Sequence, residues 1–310
     1  MFKIINIKRL KKDLINYNKI NIKFFKEIIK NNYKKIIIIL GPCSLSNIKE
    51  FIFYLNNIKK INLNLKYIIR IYYEKPRSNI GWKGYIYDPY IDNSNSVIDS
   101  FYIIRKLMIK ILNLKFHLAT ECLNFYFLNF FIDCISWVCI GARTMNSQLH
   151  REYCSNINSI IGIKNDLSGK LSFLNDFKIS LINKHFYICF DFYKKKFSKG
   201  NKNFQFVLRG ENLPNFNYSI IKKIKESIII DCSHSNSFKK SIFQIFVFEN
   251  IYNQFKYYKN NINGIMLESY INFGNQNIFN KFKNLSITDS CISFYLLKII
   301  LFKLNEFNND

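Results

Sequence analysis

The sequence predicts an α/β protein built as a (β/α)8 TIM barrel, and three observations carry that prediction. Eight short, β-rich apolar runs alternate with longer helical stretches along a chain of 310 residues, a length that suits one large barrel. Most of the runs finish in a polar or charged residue. No linker divides the chain, and no internal repeat interrupts the alternation. A doubly wound open sheet is the alternative that the same pattern allows.

Residues 1–34 are lysine-rich and helix-like, and they read as a short N-terminal helical extension ahead of a catalytic barrel over 35–310. The first run, "IIIIL" at 36–40, is an apolar stretch of strand length, stopped by Gly41 and Pro42 with Cys43 at its end. The others are "YIIRIY" (67–72), "FHLATE" (116–121), "WVCIGAR" (137–143), "IIGIKN" (160–165), "FYICF" (186–190), "SIIIDCS" (227–233) and "GIMLES" (264–269). The segment 193–209 is irregular, and "FQFVLRG" within it reads as a small inserted strand between the sixth and seventh units. At or near seven of the strand ends stand Cys43, Arg70, Glu121, Arg143, Lys164, His234 and Glu268. A parallel barrel gathers its carboxyl ends on one face, so these residues should converge.

Composition limits the functional classes. Half of the residues are apolar (49%), which fits a globular chain. The net charge of +25 would ordinarily suggest nucleic acid. Yet only seven of the 46 basic residues are arginine, the lysines are dispersed, and they accompany Ile, Asn, Phe and Tyr, all with A/T-rich codons. Compositional drift accounts for the charge, and no specific nucleic-acid partner is expected. No apolar run reaches the roughly 18 residues of a membrane helix, and the N-terminus has no secretory pattern. With eight scattered cysteines and no C-x-x-C pair, free thiols in the cytoplasm are expected.

The converging residues divide in two. Cys43, His234, Glu268 and the later Asp289 offer a thiolate, an imidazole and two carboxylates, a mixed set suited to a divalent transition metal rather than magnesium. Arg70, Lys75, Arg77, Arg143, Lys164 and Arg209 form a cationic group. Arginine in a lysine-rich chain implies planar, bidentate recognition of phosphate or carboxylate.

The motifs "GPCS", "RIYYEKPRSNIGWKG", "DNS", "GART", "LRG", "DCSHSNS", "ES" followed by "GNQ", and "SITD" occur in this order over residues 38–291. In that order they resemble class I 3-deoxy-D-arabino-heptulosonate 7-phosphate (DAHP) synthases. The resemblance implies a metal-dependent, aldol-like condensation of phosphoenolpyruvate with erythrose 4-phosphate, the first step of the shikimate pathway to chorismate and the aromatic amino acids. It implies Cys43, His234, Glu268 and Asp289 as ligands of Mn, Fe or Co. Arg70, Lys75, Glu121, Ala142, Arg143, Lys164 and Arg209 would line the phosphoenolpyruvate site. Lys75, Pro76, Arg77 and Ser78 would hold erythrose 4-phosphate, with Lys75 bridging both substrates and able to move a proton. Catalysis would centre on Lys75, Cys43 and His234. Such enzymes are homodimers or homotetramers, and the apolar runs "FFIDCISWVCI" and "FLNF" read as surplus surface for such contacts.

The chain departs from the family pattern at several positions. Ser78 stands where threonine is usual, Glu211 replaces a glycine after "LRG", and the region 190–207 is shorter. The family binds an aromatic amino-acid inhibitor partly through a "D-M-x-x-P-Q-Y"-like stretch after the third strand. Here that stretch is Asn124, Phe125, Tyr126, Phe127, Leu128, Asn129 and Phe130, so little feedback inhibition is expected. Two other functions stay open. One is a 3-deoxy-D-manno-octulosonate 8-phosphate synthase-like enzyme using arabinose 5-phosphate, against which the "KPRS" loop argues. The other is a non-catalytic basic binding protein on a decayed scaffold.

Overall fold

Strand alternation decides the architecture. In the first strand, β1 (Ile37–Gly41), Ile37 and Ile39 belong to one buried cluster while Ile36, Ile38 and Leu40 belong to another. Successive side chains point to opposite faces of a strand, so an uninterrupted isoleucine run fills two cores at once. The smaller cluster, with Ile68, Ala119, Trp137, Val207, Ile229 and Met266, occupies the barrel interior. The larger lies between the strands and the surrounding helices.

The computed structural model describes residues 36–77, 81–166, 171–188, 195–257, 261–280 and 282–309. After β1 come α1 (Ile48–Ile61), β2 (Lys66–Arg70), α2 (Val97–Asn113), β3 (His117–Glu121), α3 (Phe125–Leu128), β4 (Trp137–Ile140), α4 (Gln148–Asn156), β5 (Ile160–Lys164) and α5 (Leu171–Ile182). Then follow β6 (Phe186–Ile188), β7 (Lys195–Phe197), β8 (Phe204–Leu208), α6 (Tyr218–Ile221), β9 (Ile228–Asp231), a 3-10 turn (His234–Ser237), α7 (Phe243–Tyr257), β10 (Ile262–Glu268) and α8 (Phe294–Asn309). Eight strands close a parallel barrel in the order β1-β10-β9-β8-β5-β4-β3-β2. The expected barrel is present. The expected N-terminal extension, 1–34, lies outside the described residues.

One strand assignment is corrected. The sixth barrel strand is β8, within "FQFVLRG", whereas β6, the start of "FYICF", pairs antiparallel with β7 as a separate two-stranded sheet. The inserted sheet therefore precedes the sixth barrel strand. Burial explains the exchange: Phe206, Val207 and Leu208 are buried on both faces, as a barrel strand between helices and interior must be. Phe186 and Phe197 instead meet at a tilt, ring centroids 5.3 Å apart, and stay largely exposed. The rest of "FYICF" lies outside the described residues.

The closed end of the barrel is plugged by Trp137, whose Nε1 donates to Gln205 Oε1 at 3.1 Å. A Cβ on Gly162 would come within 1.9 Å of the indole, so the glycine in β5 makes the space that the ring fills. The runs "FFIDCISWVCI" and "FLNF", read above as surplus surface, are largely consumed by this packing, with Leu128, Phe131, Cys134 and Trp137 fully buried. Among the described residues no helix is long and apolar enough to cross a membrane.

Candidate active site

Period-two alternation also builds the reactive layer. Two residues after each interior apolar or glycine position, at the carboxyl end of its strand, stand Arg70 (after Ile68), Glu121 (after Ala119), Lys164 (after Gly162), Arg209 (after Val207), Asp231 (after Ile229) and Glu268 (after Met266). Glu121, Lys164, Arg209 and Glu268 of this ring line a cavity of about 230 Å³, with Arg70 and Asp231 outside its lining. Its lining includes Lys75, Pro76, Arg77, Glu121, Ala142, Arg143, Lys164, Arg209, His234, Glu268 and Asp289. Eleven of the residues singled out in the sequence thus share one cavity. Ser78 lies outside the described residues.

Two local features hold the layer open. Gly84, in "GWKG", has φ +110 and lies so close to the backbone of Tyr73 that a Cβ would meet its carbonyl oxygen at 2.4 Å. A residue with a side chain would be strained twice over there, and the loop carrying Lys75 is pinned by the Lys75 N–H to Lys83 carbonyl bond at 2.9 Å. At Gly141 a Cβ would fall 2.0 Å from Glu121 Oε1. The glycine before Ala142 and Arg143 is what leaves room for that carboxylate.

Cys43 lies buried beneath the cavity. Its thiol donates to Asp289 Oδ2 at 3.1 Å, while Lys75 Nζ donates to Cys43 Sγ at 3.0 Å and to its carbonyl at 3.3 Å. Burial, reinforced by the Glu268 carboxylate, pushes the Cys43 thiol up to about 12, against the pull of Lys75. Burial alone would lower the Lys75 ammonium, but Cys43, Glu268 and Asp289 more than offset it and raise it above the ordinary lysine range. Asp289 is exposed and held below the usual carboxylate range: Lys75 and the thiol bond outweigh its partial desolvation.

The ligand atoms of Cys43, Glu268 and Asp289 all lie within 4.8 Å of one another. A thiol and two carboxylates gathered this closely are all metal-ligand types, and a divalent cation among them would balance their combined negative charge. The donor set therefore fits a transition metal. His234 is not in this cluster but lines the same cavity, with its Nδ1 turned to Asp231 at 2.9 Å.

Arg70 takes a different position from the other cations. Its side chain is fully buried, outside the cavity lining, with Nη2 2.7 Å from Glu268 Oε1 and the guanidinium 4.1 Å above the Tyr72 ring. In this structure it holds the Glu268 carboxylate. The backbone of Glu268 is clamped from the other side by Gln244, whose Oε1 accepts from its N–H at 2.9 Å and whose Nε2 donates to its carbonyl at 3.1 Å.

Sequence reasoning missed Gln244, Asp231, Ser233 and the pocket-lining Lys239, Ser241 and Ser290. Asp231 and Ser233 lay within the quoted "DCSHSNS", where position two after Ile229 marked Asp231 as interior. Gln244 follows no strand and carried no such signal.

Comparison with known proteins gives the same reading over nearly the whole chain. Residues 15–300 match the model of the DAHP synthetase I family. The chain is 30% identical over 304 residues to the Tyr-sensitive phospho-2-dehydro-3-deoxyheptonate aldolase of Escherichia coli, covering 92% of this chain and 85% of the relative. It is 33% identical over 309 residues to the phenylalanine-inhibited phospho-2-dehydro-3-deoxyheptonate aldolase of Saccharomyces cerevisiae, covering 90% and 83%. The solved structure of phospho-2-dehydro-3-deoxyheptonate aldolase from Francisella tularensis superposes with a TM-score of 0.91 at 32% identity, over 99% of this chain and 97% of that one. With the barrel, the cationic cavity and the thiol–carboxylate cluster in place, these matches establish that the chain belongs to the DAHP synthetase I family.

Proposed function

We propose that this protein is a transferase that condenses phosphoenolpyruvate with erythrose 4-phosphate and water, giving 3-deoxy-D-arabino-heptulosonate 7-phosphate and inorganic phosphate in aromatic amino-acid biosynthesis. The observation that carries the reading is the sharing of one cavity by six cations, Lys75, Arg77, Arg143, Lys164, Arg209 and Lys239, and the Glu268 and Asp289 carboxylates above Cys43. Two phosphorylated substrates need that many cations in one place.

In this reading Arg143, Lys164 and Arg209 hold the phosphate and carboxylate of phosphoenolpyruvate, and Arg77 with Pro76 and Ser78 holds the aldose phosphate. Fixing both substrates brings C3 of the enol against the aldehyde carbon. Carbon–carbon bond formation leaves positive charge at C2, where water adds, and the tetrahedral species releases phosphate by C–O cleavage. Glu121, beside the cations, is poised to steady the charge at C2. Lys75, between both subsites, carries a proton to the forming alkoxide. Cys43, Glu268, Asp289 and His234 would hold the metal, which when bound supplies Lewis-acid polarisation of the aldehyde.

Cys43, Cys122, Cys139, Cys154, Cys232 and Cys291 are free thiols, which supports a cytoplasmic enzyme. The test is direct. Purified protein with Mn²⁺ should consume phosphoenolpyruvate only when erythrose 4-phosphate is present, releasing one phosphate per turnover. Turnover with arabinose 5-phosphate instead, or with neither, would overturn the reading.

A further inference from the structure

Asp231 ends β9 with its side chain fully buried. Its Oδ2 lies 3.0 Å from Lys164 Nζ and 2.9 Å from His234 Nδ1. Its Oδ1 accepts from the Ser233 hydroxyl at 2.5 Å and the Ser233 N–H at 3.1 Å. Ser233 Oγ in turn lies 2.9 Å from His234 Nδ1. The backbone around the carboxylate is fixed as well: Asn236 Nδ2 donates to the carbonyls of Asp231 and Leu208 at 2.9 and 3.0 Å.

These contacts determine where the protons sit. A carboxylate only accepts, so the Ser233 hydroxyl proton is directed at Asp231, and the hydroxyl oxygen is left to accept. His234 Nδ1 therefore faces two acceptors and carries the imidazole proton, leaving Nε2 with its lone pair. The same carboxylate is the counter-ion of Lys164, a buried ammonium. Burial alone would drive that ammonium toward neutrality, and Asp231 is the largest of the influences that keep it charged.

We propose that Asp231 is a positioning residue that couples two subsites, holding Lys164 as the ammonium that binds phosphoenolpyruvate and setting His234 with Nε2 free for the metal. The inference rests on the function proposed above. One carboxylate serving both partners means that neither subsite can be weakened at this point without the other. The Ser233 hydroxyl contacts the histidine and Oδ1, the carboxylate oxygen that is not paired with Lys164.

The test uses the full-length protein and binding rather than turnover. Calorimetry measures Mn²⁺ alone on chelator-treated protein and, separately, phosphoenolpyruvate alone on the same metal-free protein. Asp231→Asn keeps the shape but removes the charge and replaces an acceptor by a donor. Both affinities should fall by at least about tenfold. Ser233→Ala should weaken Mn²⁺ by a similar factor and leave phosphoenolpyruvate within about twofold. Wild-type binding of both ligands with unchanged binding by Asp231→Asn, or loss of only one ligand, overturns the coupling while leaving the proposed function standing. Should Asp231→Asn fail to fold, Ser233→Ala decides: unchanged Mn²⁺ affinity, or weakened phosphoenolpyruvate binding, overturns it. Wild-type protein that binds neither ligand overturns the proposed function itself.

Discussion

Lys75 donates to the Cys43 thiol from 3.0 Å, so the residue expected to span both substrates also stands over the sulfur expected to hold the metal. The thiol is buried and pushed up to about 12. Metal capture there would have to displace its proton, and Lys75 is placed to favour the thiolate that would result.

Chelation should abolish turnover, and Mn²⁺, Fe²⁺ or Co²⁺ should restore it. Cys43→Ala should lower turnover by more than about a hundredfold without loss of the folded state by circular dichroism. Full activity after exhaustive chelation would show that the thiol–carboxylate cluster has another role.

The two ends of the cationic cavity should separate kinetically. Arg143→Lys should raise KM for phosphoenolpyruvate by roughly tenfold, because an ammonium cannot reproduce a bidentate guanidinium grip. Arg77→Ala should act instead on erythrose 4-phosphate. Initial rates over a grid of both substrates read the two effects, and equal effects on both would contradict the division.

Glu74 makes a pH prediction. Burial, aided by Glu121 and opposed by the Asn124 N–H, lifts its carboxyl from 4.5 to about 8. Between those values the folded protein holds a proton that the unfolded chain has released, so this group's contribution to stability is full below 4.5 and is lost as pH rises through about 8. The size is on the order of a few kcal/mol at most. Glu74→Gln should flatten the decline in Tm between pH 5 and 8 and raise Tm at pH 8. An unchanged slope would sink the assignment.

Feedback inhibition should be weak or absent, unlike the Tyr-sensitive and phenylalanine-inhibited relatives. Asn124 spends its side chain capping α3, accepting from the Tyr126 N–H at 2.9 Å. Leu128 is fully buried, and Asn129 accepts from the Tyr153 hydroxyl at 3.0 Å. Phe127 packs on Phe101 and Tyr87. The stretch that would receive an effector is engaged with its own neighbours, and an effector without differential affinity for two states shifts nothing. Rates with about 1 mM phenylalanine, tyrosine or tryptophan should match the uninhibited rate. A loss of more than half with any one would refute this.

A dimer or larger assembly is expected by light scattering at micromolar concentration. The apolar runs are largely buried, so the expected contact would use exposed rings such as Phe246 on α7 and Tyr295 on α8, at 66% and 71% exposure. A monomeric mass would overturn the expectation.

Most of the site was legible because alternation within strands is local. Knowing that Ile229 or Met266 faces inward fixes the direction of Asp231 or Glu268 two residues on. The exchange of β6 for β8 arose because apolar content alone does not report whether both faces of a run are covered. The better signal was available: "FQFVL" runs directly into the Arg209 of "LRG", one of the motifs that carry the family resemblance, and "FYICF" runs into no such motif. The burial of Arg70 under Glu268 was not legible, because depth within a layer depends on neighbouring strands. The Gln244 clamp comes from the helix α7, whose register on the barrel no local pattern specifies.

Barrel closure pairs β1 with β10, and Cys43 meets Asp289 across 246 positions of sequence. During vectorial synthesis the thiol emerges from the ribosome long before its carboxylates exist. A nascent or truncated chain therefore presents cysteine without a coordination sphere, and the loop-closure entropy of bringing the two termini of the barrel together must be met before any ion is captured. A metal held by this cluster would double as a proofreading signal, since only a chain whose last barrel strand has docked beside the first could retain it.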